Sequence, residues 1–332
     1  YAANKGEQWT VYLRDLKSKR ERVLLKAEQS VMNPEFSPDG RRIAVQSDFE
    51  GDENFNIHTV PTDGGEARTL TDTPADSVFP RWSPDGTKIA FISNRDRDRE
   101  NVFVMDAAGG EAKQLTRVDD IVNDLAWRPD SQALAFGAGF GIGDWIGLVD
   151  LDGRMERLAE FPDSENYLSA DVGRPAPWSP DGSELAFVSN VHDHLDIGVV
   201  DLMTRRVRWP VQNRWDKTLP VWSPDGARIA YLENHDGNVQ LRSAGATGRG
   251  VRTHSSEEGS AARPVWHPDS RSLFYEHSTF VKPYELVVRR GSRTTRLVSG
   301  TTAKLPRGEL AMGRLVRYPT FDGRRIPPWL FV

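Results

Sequence analysis

A five-residue phrase occurs six times along the 332-residue chain, and it constrains the fold more than any other feature. Each copy is an aromatic residue, then Ser, Arg or His, then Pro-Asp, and then Gly or Ser. The copies occupy residues 36–40, 82–86, 127–131, 178–182, 222–226 and 266–270. Successive copies lie 44 to 51 residues apart. A period of about 40–50 residues with strand-like sequence between the marks is typical of a propeller blade.

Each phrase predicts a tight hairpin turn. Pro has the φ that the second position of a type I turn requires, Asp bonds back to the local backbone, and Gly takes the left-handed position. Ser131 and Ser270 stand where the other copies have Gly, at a strain of roughly 1 kcal/mol. The turn aspartates are structural residues of the repeat: Asp39, Asp85, Asp130, Asp181, Asp225 and Asp269.

A short apolar strand follows every turn, for example Lys88-Ile-Ala-Phe91. A polar loop, a third strand such as 101–106, a tight turn and a fourth strand such as 112–116 complete the repeat. We label the four antiparallel strands A to D. The aromatic residue at the end of strand A is predicted to pack in the core between blades, and the set is Phe36, Trp82, Trp127, Trp178, Trp222 and Trp266.

The ends of the chain complete the predicted architecture. Residues 1–4, 9–15 and 21–25 align with the last part of a strand B, a strand C and a strand D. The prediction is therefore an all-β, seven-bladed β-propeller of four-stranded antiparallel blades, whose first blade is incomplete. Residues 1–314 hold six full repeats and the N-terminal half blade. Residues 327–332 form an apolar strand that stops in mid-run, so we expect the chain to be an excerpt of a longer protein.

Composition excludes several function classes. The formal net charge of −5 argues against nucleic acid as a main partner. No apolar run is long enough to cross a bilayer, and no signal-peptide pattern is present, so we expect a cytoplasmic location. The chain contains no cysteine, which excludes disulfides and thiol chemistry.

The connections divide into two sets by length. The A–B and C–D turns, at one end of each blade, are short and uniform. The B–C and D–A connections, at the other end, are longer, variable and charged, as in residues 94–100 and 161–171. Variable loops on a rigid frame are suited to recognition, so we expect any binding surface at the B–C/D–A end. Ordinary solvated loops are the alternative interpretation.

The repeated Trp-Ser-Pro-Asp-Gly, with Ile-Ala-Phe and a downstream Asp-Gly-Gly, resembles the propellers of two groups. One is the prolyl oligopeptidase family of serine peptidases, including acylaminoacyl peptidases and dipeptidyl aminopeptidases. The other is the periplasmic propeller protein of the Tol-Pal system. Residues 316–330 resemble the passage from the peptidase propeller into its α/β-hydrolase domain. The Tol protein places its α/β domain before the propeller, so this passage favours the peptidases.

The resemblance implies that residues 315–332 begin the passage into an α/β-hydrolase domain that this chain does not contain. In that family the propeller covers the catalytic domain and admits small peptides. The implied partners are the hydrolase domain of the same polypeptide and peptide substrates, with no cofactor and no metal. The catalytic Ser lies on a Gly-x-Ser-x-Gly elbow, and this chain has no such elbow, so the chain alone is expected not to cleave peptides.

Some members of the family hold the free N-terminus of the substrate with propeller carboxylates. The adjacent pair Glu257 and Glu258 offers this chemistry, because an ammonium needs paired carboxylates in a partly dehydrated site. The dipeptidyl-peptidase branch carries its pair on a helical insertion, whereas this pair lies in a short Gly- and Ser-rich loop. The context therefore favours a solvated loop over an amine clamp.

Other motifs and functions are less well supported. His192 and His194 lie in an exposed loop without a further ligand for a metal. The glycine-rich stretch 136–143 lacks the Lys-Ser or Lys-Thr of a phosphate loop and is interpreted as a bulge or close backbone approach. A stand-alone binding propeller resembling the Tol protein is the alternative function. A catalytic propeller of the sialidase or lactonase kind is disfavoured, because in the sialidase repeat the Trp follows the turn.

Overall fold

The structure is a computed structural model, and its regular elements are all β-strands. No α-helix occurs in the residues that it describes, which are 2–4, 9–27, 29–48, 51, 53–96, 99–139, 141, 143–169, 177–255, 258–299 and 310–331. The chain forms two compact units, Tyr1–Leu168 and Ser169–Val332. Each unit is built from antiparallel sheets in which strands that follow one another along the chain pair with each other.

The first unit begins with a three-stranded sheet and continues with four-stranded meanders. The three-stranded sheet is β1 (Ala2–Asn4), β2 (Trp9–Arg14) and β3 (Glu21–Ala27). The meanders are β4 (Val31–Phe36), β5 (Arg42–Ser47), β6 (Asn56–Pro61) and β7 (Arg68–Thr69); β8 (Ser77–Trp82), β9 (Lys88–Asp96), β10 (Arg99–Asp106) and β11 (Lys113–Gln114); and β12 (Val122–Trp127), β13 (Ala133–Ala138), β14 (Trp145–Asp150) and β15 (Met155–Glu160), followed by the short β16 (Asn166–Tyr167).

The second unit repeats this pattern. Its strands are β17 (Glu184–Ser189), β18 (Asp196–Asp201) and β19 (Val207–Val211); β20 (Asp216–Trp222), β21 (Arg228–His235), β22 (Asn238–Gly245) and β23 (Arg252–Thr253); and β24 (Ser260–Trp266), β25 (Ser272–Thr279), β26 (Lys282–Arg290) and β27 (Arg293–Val298). A single parallel bridge between Val239 and Ser260 joins the last two meanders. The predicted all-β plan of four-stranded antiparallel meanders is confirmed.

The C-terminal segment forms two nested strand pairs. The outer pair is β28 (Gly313–Leu315) with β31 (Trp329–Phe331), and the inner pair is β29 (Tyr318–Pro319) with β30 (Arg325–Ile326). The segment therefore folds back on itself as a hairpin. We call residues 313–331 the C-terminal hairpin.

The second strand of each meander forms the centre of the core. Strands covered on both faces read as continuous apolar runs, which explains the repeated Ile-Ala-aromatic sequence. Phe91, Phe136, Phe187 and Tyr231 occupy equivalent positions and are fully buried. Glycine is required opposite two of these rings. A Cβ at Gly147 would lie 2.3 Å from Phe136, and one at Gly198 would lie 2.4 Å from Phe187.

The repeat tryptophans connect neighbouring sheets. The five Trp residues of the repeat are between 5% and 9% exposed. Trp127 Nε1 donates a 3.0 Å hydrogen bond to the carbonyl oxygen of Arg81, the residue before the aromatic of the preceding repeat. Trp266 makes the equivalent 3.1 Å bond to Val221. In these two repeats the indole therefore both fills the space between two sheets and satisfies a main-chain acceptor.

Phe36 departs from the predicted core position, because it is 51% exposed. Trp82, Trp127 and Trp266 each donate a hydrogen bond to a main-chain carbonyl in strand A of the preceding meander. The sheet that precedes Phe36 consists of β1, β2 and β3 and has no strand A among the described residues. The ring therefore lacks the surface that buries its counterparts.

The turn aspartates hold the A–B hairpins by local hydrogen bonds. Ser37 Oγ donates to Asp39 Oδ1 at 2.6 Å, and the Gly40 amide donates to the Ser37 carbonyl at 2.8 Å. The same 2.6 Å bond recurs at Asp85, Asp181 and Asp225. Because this bond favours the ionised carboxylate, it lowers the pKa of the aspartates, to about 2 for Asp181.

Two turns have serine in the left-handed position, at φ 61° for Ser131 and φ 55° for Ser270. Each hydroxyl accepts a hydrogen bond from the preceding repeat, from the Asp85 amide at 3.1 Å and from the Asp225 amide at 3.0 Å. The serine therefore contributes a contact between repeats that glycine could not make.

Candidate functional site

Charged side chains are buried at the B–C/D–A end of the second unit. Asp196 begins β18, Lys217 lies in β20 and Glu233 lies in β21, and none is more than 2% exposed. Burying a charge is costly unless the group is paired and hydrogen-bonded. The partners of these three charged groups therefore determine the chemistry available at this end of the unit.

Lys217 and Asp196 form a buried ion pair. The Lys217 ammonium lies 2.7 Å from Asp196 Oδ1 and donates a second bond of 2.8 Å to the Asn213 carbonyl. The other carboxylate oxygen of Asp196 faces His192 Nδ1 at 3.5 Å. Both charges are thus matched by partners from the B–C and D–A connections.

Glu233 is the second acidic centre. Arg242 lies 2.8 Å from its Oε1 atom, and His235 contacts the same oxygen. Asn213 Nδ2 donates to Oε2 at 2.9 Å. Asn213 therefore joins the two acidic centres, because its carbonyl accepts from Lys217 while its side chain donates to Glu233. We call this set the buried charge network.

Aromatic rings lie beside the buried charge network. Trp215 stacks on His235 with ring centroids 4.5 Å apart, and the Arg214 guanidinium lies 4.6 Å from the Trp215 ring. Trp209 meets His192 edge to face at 4.7 Å. Both tryptophans are partly exposed. Such surfaces bind apolar or planar groups by stacking and cation–π contact, so this arrangement is suited to non-covalent recognition.

A Ser–His hydrogen bond elsewhere in the unit does not have the properties of a catalytic dyad. Ser243 Oγ and His254 Nε2 are 2.8 Å apart, but Ser243 is fully buried. Its hydroxyl also accepts a bond from Arg228 Nε at 3.0 Å. Burial and the neighbouring arginines lower the pKa of His254 to about 4, which makes it a weak base. A nucleophile needs both access and an effective base.

The predicted site residues fall in different places. Glu257 lies outside the described residues, so no contact of the Glu257–Glu258 pair can be tested. The carbonyl oxygen of Glu258 lies 3.1 Å from His277 Nε2, and the Glu258 side chain is exposed. The amine clamp therefore stays a prediction. His192 and His194 face different carboxylates, Asp196 and Asp216, and the described part of the chain has no group of three or more potential metal ligands.

The buried charge network was missed by sequence reasoning, although the repeat contains a signal for it. The sixth residue of strand B is Ser47, Ser93 and Ser189 in three meanders, and the equivalent position is Glu233 in a fourth. A charged residue at a position where three other meanders have a small buried serine marks a local change of chemistry. Aligning the repeats column by column would have identified it.

The glycine-rich stretch leads to another buried acid in the first unit. Asp144 is 1% exposed, and its interactions with the Gly141 backbone and the Tyr167 side chain only partly offset the cost of burying its carboxylate. Burial, with repulsion from Glu165 and Asp120, raises the pKa of Asp144. Gly139 is required here, because a Cβ at that position would lie 2.2 Å from Asp144 Oδ1.

The C-terminal hairpin is attached to the B–C turns of the last two meanders. Trp329 Nε1 donates a 2.8 Å hydrogen bond to the Asp236 carbonyl, and Arg317 pairs with the Asp236 carboxylate. The Phe280 ring lies 4.7 Å from Trp329 and 5.1 Å from Phe331. Residues 316–330 therefore lie in an ordered hairpin at the B–C/D–A end of the second unit, and their role as a passage into another domain stays a prediction.

The described residues include no helix with the length and apolar character needed to span a membrane. Comparison with protein families gave a match to the TolB beta propeller domain over residues 1–167 and 166–306.

Among curated proteins, the uncharacterised peptidase YuxL of Bacillus subtilis (strain 168) is 36% identical over 121 residues, which is 35% of this chain and 18% of YuxL. The uncharacterised protein Atu1656 of Agrobacterium fabrum is 30% identical over 146 residues, covering 41% of this chain and 49% of that protein. Tricorn protease homolog 1 of Streptomyces coelicolor is 33% identical over 136 residues, 37% of this chain and 13% of the homolog. The matched region spans less than half of each relative.

Solved structures share the fold at low identity. A puromycin-hydrolysing peptidase of Mycobacterium tuberculosis superposes with a TM-score of 0.78 at 15% identity, covering 100% of this chain and 58% of the peptidase. A prolyl endopeptidase gives a TM-score of 0.78 at 14% identity over 97% of this chain and 50% of that chain. A putative TolB from Agrobacterium tumefaciens superposes with a TM-score of 0.54 at 15% identity, covering 87% of this chain and 87% of that chain. Together with the repeat and the antiparallel meanders, the family match shows that this chain belongs to the TolB β-propeller domain family.

Proposed function

We propose that this chain is the non-catalytic propeller of a prolyl-oligopeptidase-like serine peptidase and that it gates the access of small peptides to an α/β-hydrolase domain of the same polypeptide. In this proposal residues 1–314 form a seven-bladed propeller with an incomplete first blade, and residues 315–332 begin the passage into the hydrolase. The location is cytoplasmic.

The observation that carries the proposal is the C-terminal hairpin. Its sequence resembles the peptidase passage, and Trp329 and Arg317 attach it to Asp236 at the B–C/D–A end. A domain continuing from this hairpin would begin beside Trp215 and the buried charge network, where recognition chemistry is concentrated.

The comparisons support the same choice. The TM-score is 0.78 for the peptidases and 0.54 for the putative TolB, and the relative YuxL is named as a peptidase. The alternative is a stand-alone binding propeller like that of the Tol-Pal system. It is supported by the family match and by the 87% mutual coverage with the putative TolB.

The first test is to read the coding sequence beyond Val332 and to assay the complete polypeptide. We expect a Gly-x-Ser-x-Gly elbow followed by Asp and His, and hydrolysis of short peptides but not of folded proteins. Residues 1–332 alone should be inactive. A stop codon within a few residues would overturn the peptidase proposal and favour the stand-alone binding propeller.

The second test concerns gating in the complete polypeptide. Trp215→Ala removes a partly exposed ring at the B–C/D–A end, so we expect a higher KM for peptides or a relaxed size limit. Met203→Ala is the control, because Met203 is 93% exposed in the C–D turn between β18 and β19. Equal kinetics for the two variants would contradict a role for the Trp215 surface in gating.

A further inference from the structure

A cationic cleft lies at the A–B/C–D end of the second unit, between the meander β20–β23 and the meander β24–β27. Its volume is about 650 Å³, and its lining includes no acidic residue. The charged and titratable lining residues are Arg228, Arg252, Arg271, Arg289, Arg290 and His254. Five arginines thus line one cavity.

Two carboxylates lie close to these five arginines in the described part of the chain, because Asp225 interacts electrostatically with Arg228 and Asp269 approaches Arg290. Arg290 approaches a carboxylate only at 4.0 Å, from Asp269 Oδ2. Arg228 donates to the main-chain carbonyls of Ser243 and Gly250 at 2.9 Å and 2.7 Å, and Arg289 donates to Thr294 Oγ1 at 2.9 Å. These neutral acceptors orient the guanidinium groups without neutralising them.

The first unit contains an equivalent groove that serves as an internal comparison. It has a volume of about 630 Å³ and lies between the meanders β4–β7 and β8–β11. Its lining holds two arginines and two aspartates, Arg42, Arg68, Asp39 and Asp85. The repeat geometry by itself therefore produces a charge-balanced groove of nearly the same size.

The excess charge of the cationic cleft comes from particular positions of the repeat. Arg228 and Arg252 occupy the positions of Arg42 and Arg68 and are common to both grooves. The additional residues Arg271, Arg289 and Arg290 occupy the positions of Thr87, Met105 and Asp106. Three arginines thus replace a neutral, an apolar and an acidic residue around one cavity.

We propose that the cationic cleft is a binding site for a small molecule that carries a phosphate or diphosphate group. A planar guanidinium donates paired hydrogen bonds to phosphate oxygens, so several arginines around one cavity form a suitable site for a multiply charged oxyanion. The volume lies in the range of small-molecule pockets. This site is separate from the Trp215 surface and does not depend on the proposed peptidase function.

His254 provides an internal reporter. Burial and the charges of Arg228, Arg289 and Arg252 lower the pKa of His254 to about 4. A bound anion would offset the arginine charges, so occupation of the cleft raises the pKa of this imidazole. Nuclear magnetic resonance of the histidine ring protons can follow this change.

The experiment titrates the 332-residue chain with pyrophosphate and inorganic phosphate by calorimetry. Sulfate and acetate test whether binding is selective for the phosphate group. We expect saturable binding of pyrophosphate that weakens with added salt and raises the pKa of His254. Arg271→Thr combined with Arg290→Asp gives these positions the residues of the balanced groove. Binding should fall by at least about tenfold, because charge-assisted hydrogen bonds are lost.

Arg293→Thr is the control for general electrostatics, since Arg293 is exposed and does not line the cleft. It should change the affinity much less than Arg271→Thr alone. Both Arg271 and Arg290 are exposed, so the variants should keep the melting temperature of the parent. Absence of saturable binding, equal binding of acetate, or equal weakening by Arg293→Thr would overturn the proposal.

Discussion

Trp329 Nε1 donates a 2.8 Å hydrogen bond to the main-chain carbonyl oxygen of Asp236 and thereby ties the C-terminal hairpin to the turn between β21 and β22. The contact is close, because a Cβ at Gly237 would lie 2.6 Å from the same indole nitrogen. Gly237 has φ 90°, so glycine satisfies both the turn and the approach of the indole. Together with the Arg317–Asp236 ion pair and the ring contacts of Phe280, this hydrogen bond holds the C-terminal hairpin against the second unit.

Trp329→Ala should release the C-terminal hairpin. The change removes the hydrogen bond to Asp236 and the ring contact with Phe280, together worth about 1–2 kcal/mol. We expect trypsin to cleave at Arg324 and Arg325 about tenfold faster, because the detached form is more populated. Phe321→Ala is the control, since Phe321 is fully exposed at the tip of the hairpin. Equal cleavage of the two variants would show that Trp329 does not hold the hairpin.

The repeat tryptophans allow a direct measurement of one hydrogen bond between sheets. Trp127 and Trp222 are similarly buried, at 8% and 5% exposure. Trp127 Nε1 bonds to the Arg81 carbonyl, whereas Trp222 Nε1 has no acceptor among the described residues. The loss of ring volume is the same in Trp127→Phe and Trp222→Phe. The free energy of unfolding, measured in urea, should therefore fall by about 1 kcal/mol more for Trp127→Phe.

Equal losses in the two tryptophan variants would contradict this interpretation and would assign the role of the indole to packing alone. A larger loss for Trp222→Phe would reverse it. Neither variant should alter the cooperativity of unfolding, because phenylalanine still fills most of the space between the sheets.

Ser131 offers a test of strain against contact. Ser131→Ala keeps the left-handed backbone and loses the hydrogen bond from the Asp85 amide, so stability should fall by about 1 kcal/mol. Ser131→Gly loses the same bond but relieves about 1 kcal/mol of strain, so its stability should lie near that of the parent. Thermal unfolding distinguishes the two. A neutral Ser131→Ala together with a stabilised Ser131→Gly would show that the hydroxyl contributes nothing.

The repeated turns and strands were accessible from the sequence because their signals are local. Pro, Asp and Gly at fixed places specify the A–B hairpin, and an apolar run specifies a strand covered on both faces. The exposure of Phe36 was not accessible in the same way. Whether a repeat aromatic is buried depends on the sheet that precedes it. The five residues around Phe36 carry no information about that sheet.

The buried charges depend on pairing between elements that are far apart in sequence. Lys217 at the start of β20 pairs with Asp196 at the start of β18, and it also bonds to Asn213 in the connection between β19 and β20. No rule of sequence spacing predicts that these three residues meet. The cationic cleft joins Arg228 to Arg290 across two repeats at the end that uniform turns marked as scaffold. The sequence predicted a binding surface only at the B–C/D–A end, because the loops at that end vary in length and sequence. The charges at the turn positions of the other end were not used in that prediction.

Asp144 should make the stability of the chain depend on pH. Its folded-state pKa is raised above the ordinary value of 3.8, chiefly by burial. The folded state therefore binds the proton more tightly than the unfolded state. The contribution of this group to stability is complete below pH 3.8 and is lost as the pH rises through the raised pKa.

Asp144→Asn removes this titration, because the neutral amide needs no proton to remain buried. At pH 7 the variant should be more stable than the parent by about 1 kcal/mol, the scale of a buried polar group whose hydrogen bonding is incomplete, and the difference should shrink toward pH 4. Urea denaturation across this pH range measures both curves. Asp63→Asn is the control, because Asp63 is exposed in a C–D turn. A stability difference that stays constant with pH would show that Asp144 does not titrate as its burial requires.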